Sequence, residues 1–222
     1  MKELFCQEKN ITVRRSWRSH TLRLTVDRRG HVVLTVPFLC PPGTARSFLE
    51  KHQDWIAQQS ARRASSLTFT DGGSISVLGK SLKICHEPNR RRGTEAVDGI
   101  LFVSGDIAFL NRRITDYVKK ETALYIDQKA HDLANRIQKK INRISLKDTT
   151  SRWGSCSGKQ NLNFCWRLGL APLFVLDYII AHEVAHLQEM NHGPAFWRLV
   201  GTLCDCRSDA EIWLRRYGHT LR

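Results

Sequence analysis

The sequence lacks most of the marks of a secreted or membrane-bound chain. No stretch approaches the run of about eighteen apolar residues that a membrane helix needs, so no membrane helix is expected. The start, MKELFCQEKN, has no apolar run of the secretory kind. Seven cysteines are present, an odd number, and no two stand as C-x-x-C. Free thiols in a reducing cytoplasm are the simplest expectation. Cys204 and Cys206 form a C-x-C, but without two further clustered ligands they read as structural. Methionine is scarce: beyond Met1 there is only Met190. No internal repeat or low-complexity segment appears.

Acidic residues are also under-represented. Lys and Arg number 35 against 21 Asp and Glu, a net charge of +14. Such a balance attracts nucleic acid, nucleotides or other anionic surfaces. Otherwise the composition is that of an ordinary soluble protein, with 41% hydrophobic and 25% charged residues. At 222 residues the chain is long enough for a substantial core in one or two domains.

Periodicity divides the chain. Leu22, Leu24 and Val26 alternate with Thr21, Arg23 and Thr25, so Ile11 to Pro37 reads as strands with a turn over Asp27 to Gly30. Arg14, Arg15 and Arg18 lie on the first strand and stand as candidates for phosphate contact. Thr44 is a fair N-cap for a helix from Ala45 to about Arg62. Short strands return from Ser65 to Val103, with a polar loop carrying Arg90, Arg91 and Arg92. From Ile107 to Lys140 the period becomes helical, with a break expected near Lys119 to Thr122 because the stretch exceeds an ordinary helix. Two strands follow, Ile144 to Leu146 and Asn161 to Leu168, joined by the turn SRWGSCSGKQ. Pro172 opens the next helix, Pro194 another, and a last one runs from about Ser208 to Tyr217. The expectation is an α+β chain: a β-rich N-terminal part, residues 1–105, then an α-rich part with a small antiparallel sheet, residues 106–222.

The chemistry concentrates in DYIIAHEVAHLQEMNH, Asp177 to His192. On a helix His182 and His186, four apart, share one face, and Glu183 sits beside the first. This is the H-E-x-x-H pattern, in which two imidazoles bind zinc and the carboxylate is general base. The helix around the trio is nearly apolar, and buried imidazoles and a carboxylate cost free energy unless something binds them. A catalytic zinc takes three protein ligands. His192 is the first candidate for the third, since Asn191 and Gly193 allow the chain to turn after a helix ending near Met190. Glu211, Asp205 and Asp209 are rivals, and Glu189 a weaker one. The spacing matches metzincin proteases, but Glu189 stands where their glycine belongs and no methionine lies downstream.

Around the motif, Arg152 and Arg167 can grip a carboxylate or phosphate bidentately. Asn161 and Asn163, two apart on a strand, point the same way and can orient a substrate. Trp153 suits stacking on a base or packing under the motif helix. The turn and the Asn161 to Leu168 strand are the expected edge onto which an extended substrate would add.

RWGSC at Arg152 to Cys156, NLN at Asn161 to Asn163, Trp166-Arg167, Ala171-Pro172, DYIIAHEVAH, MNH and Phe196-Trp197 together resemble the YgjP-like metallopeptidases. The N-terminal RRSWR is similar too, so the resemblance covers nearly the whole chain. It implies a zincin-like catalytic part, zinc (or another divalent metal) on His182, His186 and His192, and Glu183 as the catalytic residue. It also implies two substrate classes, because some members of the family hydrolyse UTP. Three functions follow as expectations: a zinc-dependent hydrolase of peptide bonds, a nucleoside-triphosphate pyrophosphatase on the same site, and a nucleic-acid-associated protein with a structural metal.

Overall fold

The strand alternation near the start becomes a three-stranded sheet. The structure is a computed structural model, and it describes residues 11–26, 32–56, 68–149 and 151–221. Strand β1 (Ile11–Ser16) pairs parallel with β3 (Val32–Pro37), which pairs antiparallel with β2 (Arg23–Val26), in the order β1-β3-β2. Val32, Leu34 and Val36 on one face of β3 are buried, and the alternate residues are not, as a period of two requires. The turn expected over Asp27 to Gly30 lies outside the described residues. Helix α1 covers Pro42–Lys51, with Pro41 as its N-cap. It begins earlier than expected from Thr44, because proline has no N–H to lose and is tolerated in a helix's first turn. The expected extension towards Arg62 runs beyond the described residues after Ile56.

The chain groups into two compact units, Met1–Leu67 and Thr68–Arg222. The change from strands to helices near Asp106 falls inside the second. That unit opens with a four-stranded sheet, β4 (Ser74–Val77), β5 (Lys80–His86), β6 (Glu95–Val97) and β7 (Ile100–Val103), in the order β4-β5-β7-β6. Its two hairpins turn on Leu78-Gly79 and Asp98-Gly99. All four residues have positive φ, between 48° and 79°, the condition for the tight turn whose twist matches paired strands.

Helix α2 (Leu110–Arg136) follows a 3-10 turn at Ile107–Phe109 that Asp106 caps through the amide of Ala108. It runs unbroken for 27 residues. The break expected near Lys119 to Thr122 is absent because the span holds no glycine or proline. Instead Leu110, Ile114, Val118, Ile126, Ala130 and Leu133 keep one buried stripe along its length.

Strand β10 (Asn161–Cys165) lies between β8 (Arg143–Lys147) and β9 (Gly154–Cys156). The sheet is mixed rather than wholly antiparallel: β9 pairs antiparallel with β10 and β8 pairs parallel. The direction reverses at each end of β9, so β8 and β10 run the same way. The strand also stops at Cys165, short of Leu168, where Trp166–Leu170 winds into a 3-10 turn. Helix α3 (Leu173–Ala185), capped by Pro172, crosses the middle of the unit. Val175, Leu176, Ile180, Ala181 and Val184 are fully buried against α2, β10 and helix α4 (Pro194–Leu203). Helix α5 (Arg207–Tyr217) closes the unit. Among the described residues no helix is long and apolar enough to cross a membrane.

Candidate metal centre

Helix α3 ends at Ala185, about a turn before Met190, with His186 as its C-cap. Two short bonds, Leu187 N–H to Val184 O at 3.0 Å and Gln188 N–H to Ala185 O at 3.1 Å, tighten the exit. His186 Nδ1 donates to Glu189 O at 3.0 Å, which turns its Nε2 away from the loop. Asn191 and Gly193 then return the chain. Gly193 is the N-cap of α4 and Pro194 follows in its first turn.

This reversal brings His192 back over the helix. Its Nε2 stands 3.1 Å from Nε2 of His182. The ligand atoms of His182, His186 and His192 all lie within 4.8 Å of one another. Two nitrogens on one tetrahedral ion at about 2.0–2.1 Å would be about 3.3 Å apart, so the observed separation fits a shared divalent ion. The aromatic floor is Phe196, fully buried, with ring centroids 4.5 to 5.0 Å from all three imidazoles. Trp197 lies beside His192 at 5.6 Å and carries the Arg207 guanidinium 3.6 Å above its ring.

Burial sets the charge states. It pulls His182 down to about 4, helped by the two neighbouring imidazoles, and it lowers His186 as well. Both are therefore neutral near pH 7, the form in which imidazole binds metal. Burial pushes the Glu183 carboxyl the other way, up to about 7, against an opposing pull from Arg152. A carboxyl poised near neutrality beside a metal site can take and return a proton.

Glu183 is pressed by β9. A Cβ at Gly154 would stand 2.6 Å from Glu183 Cγ and meet the carboxyl as well, so only glycine fits there. Trp153 and Gly154 form one wall of a cleft of about 390 Å³. Tyr178, His182 and Glu183 line it from α3, and Glu211 and Arg215 from α5. Tyr178 donates to Glu211 Oε1 at 2.9 Å, and Arg207 Nε donates to the same oxygen at 2.9 Å. Glu211 is thus engaged on the cleft wall and stands outside the histidine group. The Asp209 carboxylate is not part of that group either.

The other candidates divide. Arg152 acts on Glu183 through its charge. Arg167 is paired with Asp148 and lies by the Trp166 ring at 5.1 Å, away from the cleft lining. Asn161 Oδ1 accepts from Asn142 at 2.8 Å, and Asn163 donates to Ser155 Oγ at 3.3 Å. Both asparagines sit on the central strand of their sheet, so the expected substrate edge is not theirs. Among the described residues the outermost strand near Glu183 is β9. Cys156 on that strand is held protonated, pushed up to about 11 by burial. Sequence reasoning missed Gly154 and Tyr178 as parts of the site. Tyr178 could have been found, since it lies one turn before His182 on the same helix face.

A second group gathers at the elbow between α4 and α5. The Cys204 and Cys206 thiols are 2.7 Å apart with Asp205 beside them, and Cys206 donates to Phe174 O at 3.2 Å.

An H-E-x-x-H helix, a returning histidine and a buried carboxylate define a metal-dependent hydrolase of the metallopeptidase type. The chain belongs to the YgjP-like family: the YgjP-like, metallopeptidase domain matches over residues 20–217. No curated protein and no solved structure matches.

Proposed function

We propose that this protein is a zinc-dependent hydrolase that cleaves peptide bonds, with His182, His186 and His192 as ligands and Glu183 as general base. The observation that carries the reading is the Glu183 carboxyl, buried and raised to about 7, beside three converging imidazoles. When bound, zinc supplies a Lewis acid and lowers the pKa of water to about 7. His182 and His186 arrive neutral, so they need shed no proton to hold it. Glu183 accepts the proton of the attacking water and passes it to the leaving amine. Gly154 admits that carboxyl by leaving no side chain in its way. The outer edge of β9 offers backbone N–H and C=O groups to an extended peptide. A three-ligand set also speaks against a purely structural zinc, which four protein ligands close.

A second reading uses the same centre on a nucleoside triphosphate. It is favoured by Arg152 acting at Glu183 and by Arg215 in the cleft wall, both suited to phosphate. A reducing, cytoplasmic setting for either is supported by Cys40, Cys85, Cys156, Cys165, Cys204 and Cys206, all free thiols. The test is a peptide library and a nucleotide panel run side by side on zinc-loaded protein. Glu183→Gln should keep fold and metal while turnover falls by about two to four orders of magnitude. Near-normal turnover in the loaded variant would remove Glu183 from the mechanism.

A further inference from the structure

The elbow between α4 and α5 holds a pair of thiols that the proposed reaction does not use. Cys204 is the C-cap of α4 and Cys206 the N-cap of α5. The helix ends fix both residues: the Cys204 N–H donates to Val200 O at 2.9 Å, and Cys206 O accepts from the Ala210 N–H at 3.0 Å. Their Sγ atoms stand 2.7 Å apart. Both residues are half-buried, so small solutes reach them, and neither belongs to the histidine group. Among the described residues no other two cysteines are in contact. Cys40, Cys85 and Cys156 are partly buried and stand apart, and Cys165 is fully buried.

A disulfide holds its sulfurs about 2.05 Å apart, so the two thiols need close by well under an ångström. With one residue between them the ring is short, and a strained bond of that kind is readily reduced again. A metal ion is the competing occupant, because the Asp205 carboxylate lies within 4.8 Å of both thiols. Zinc fits less well. Its thiolate ligands lie at about 2.3 Å, which sets two of them about 3.8 Å apart, so the thiols would have to separate. Burial pushes the Cys206 thiol well above its ordinary value, and the bond to Cys204 and the Asp177 charge push the same way. Surroundings that resist the thiolate disfavour a metal, whose thiol ligands must lose their protons, but not an uncharged disulfide.

We propose that Cys204 and Cys206 form a reversible thiol–disulfide site whose oxidant is a small-molecule disulfide. One protein thiolate attacks a sulfur of the oxidant, whose S–S bond breaks and releases one thiol. The other protein thiol, losing its proton, then displaces the second thiol from the mixed disulfide and closes the Cys204–Cys206 bond. The pair gives up two electrons and two protons, and the oxidant takes them up as two thiols. Closure also removes the S–H that Cys206 donates to Phe174 O at 3.2 Å. Phe174 lies in the first turn of α3, the helix that carries His182 and Glu183. In a reducing setting the site rests as thiols, and it closes as oxidant accumulates.

The test equilibrates the full chain in glutathione buffers of rising oxidised share, traps the remaining thiols with iodoacetamide and digests with trypsin for mass spectrometry. The tryptic peptide Leu199–Arg207 contains Cys204 and Cys206 and no other cysteine. It should appear two hydrogens lighter than the reduced peptide, without bound glutathione, and dithiothreitol should restore both thiols. Its oxidised-to-reduced ratio should exceed the adduct-to-free ratio at Cys85 or Cys156 by about tenfold, because closure is intramolecular. The ratio should also be about tenfold higher in the native chain than in the same chain unfolded in urea, where the helix ends no longer hold the two residues together. A parallel native sample loaded with zinc should react with iodoacetamide at both thiols at the rate seen without zinc. A peptide that stays fully alkylated, closure no greater in the native chain than in urea, closure that dithiothreitol does not reverse, or zinc that shields both thiols would each overturn the proposal.

Discussion

Two regions of this protein use charge in opposite ways. Around the helices of the metal centre and just beyond strands β8 and β10, cations meet acids: Arg167 meets Asp148, Arg207 meets Glu211 and Lys129 meets Asp177. In the β1-β3-β2 sheet the arginines meet none among the described residues. An exposed pair adds little stability, since its median worth is about 0–1 kcal/mol. What pairing does is fix a side chain in place and take its charge out of circulation. An unpaired arginine on an open face keeps both its reach and its charge for a partner. The net charge of +14 is therefore a poor guide to where an anion binds, and the pairing pattern is a better one.

The sharpest way to probe the metal-centre region is to crowd β9. Gly154→Ala places a methyl group against the buried Glu183 side chain, which must shift to admit it. Turnover should fall by about the two orders of magnitude or more that loss of a positioned base costs. Stability should drop by about 1–3 kcal/mol, as overpacking does, and urea unfolding would measure it. If the alanine variant is as stable and active as the parent, β9 does not position the carboxyl.

A smaller effect separates two arginines of that region. Arg152 holds the Glu183 carboxyl below where burial alone would put it. Arg152→Ala removes that pull, so the carboxyl rises further above about 7 and stays protonated to higher pH. A protonated base is inactive, so the acid limb of the pH–rate profile should move to higher pH and activity at pH 7 should fall. Arg167→Ala, whose partner is Asp148, should leave the limb in place. A limb moved equally by both variants would erase the distinction between committed and available charge. For the nucleotide reading, Arg152→Ala should also raise KM for a triphosphate more than for a peptide.

Much of the Thr68–Arg222 unit was legible in the sequence because its signals are local. Four-residue spacing puts His182 and His186 on one helix face, and Pro172, Gly193 and Pro194 mark helix ends by their own backbone chemistry. The details that escaped depend on contacts across the chain. Length alone suggested a break in α2, but an unbroken stripe against α3 and its neighbours keeps it whole. Asn161 and Asn163 looked like an exposed substrate edge, because alternation cannot say whether a strand is central or outermost. Glu211 was a plausible ligand by distance along the chain, and only packing shows it bound to Tyr178 and Arg207. The helix end at Ala185 was missed because the imidazole of His186 bonds Glu189 O beyond it, a tertiary detail with no spacing signature.

The central claim is that His192, not an acid from α5, completes the metal set. Metal content answers it directly. Wild type, His192→Ala, Glu211→Ala and Asp209→Ala would each be purified folded, loaded with zinc, desalted and assayed by native mass spectrometry. The histidine geometry predicts bound zinc in the wild type, Glu211→Ala and Asp209→Ala, and a sharp loss in His192→Ala. A fully loaded His192→Ala together with an empty Glu211→Ala would contradict it.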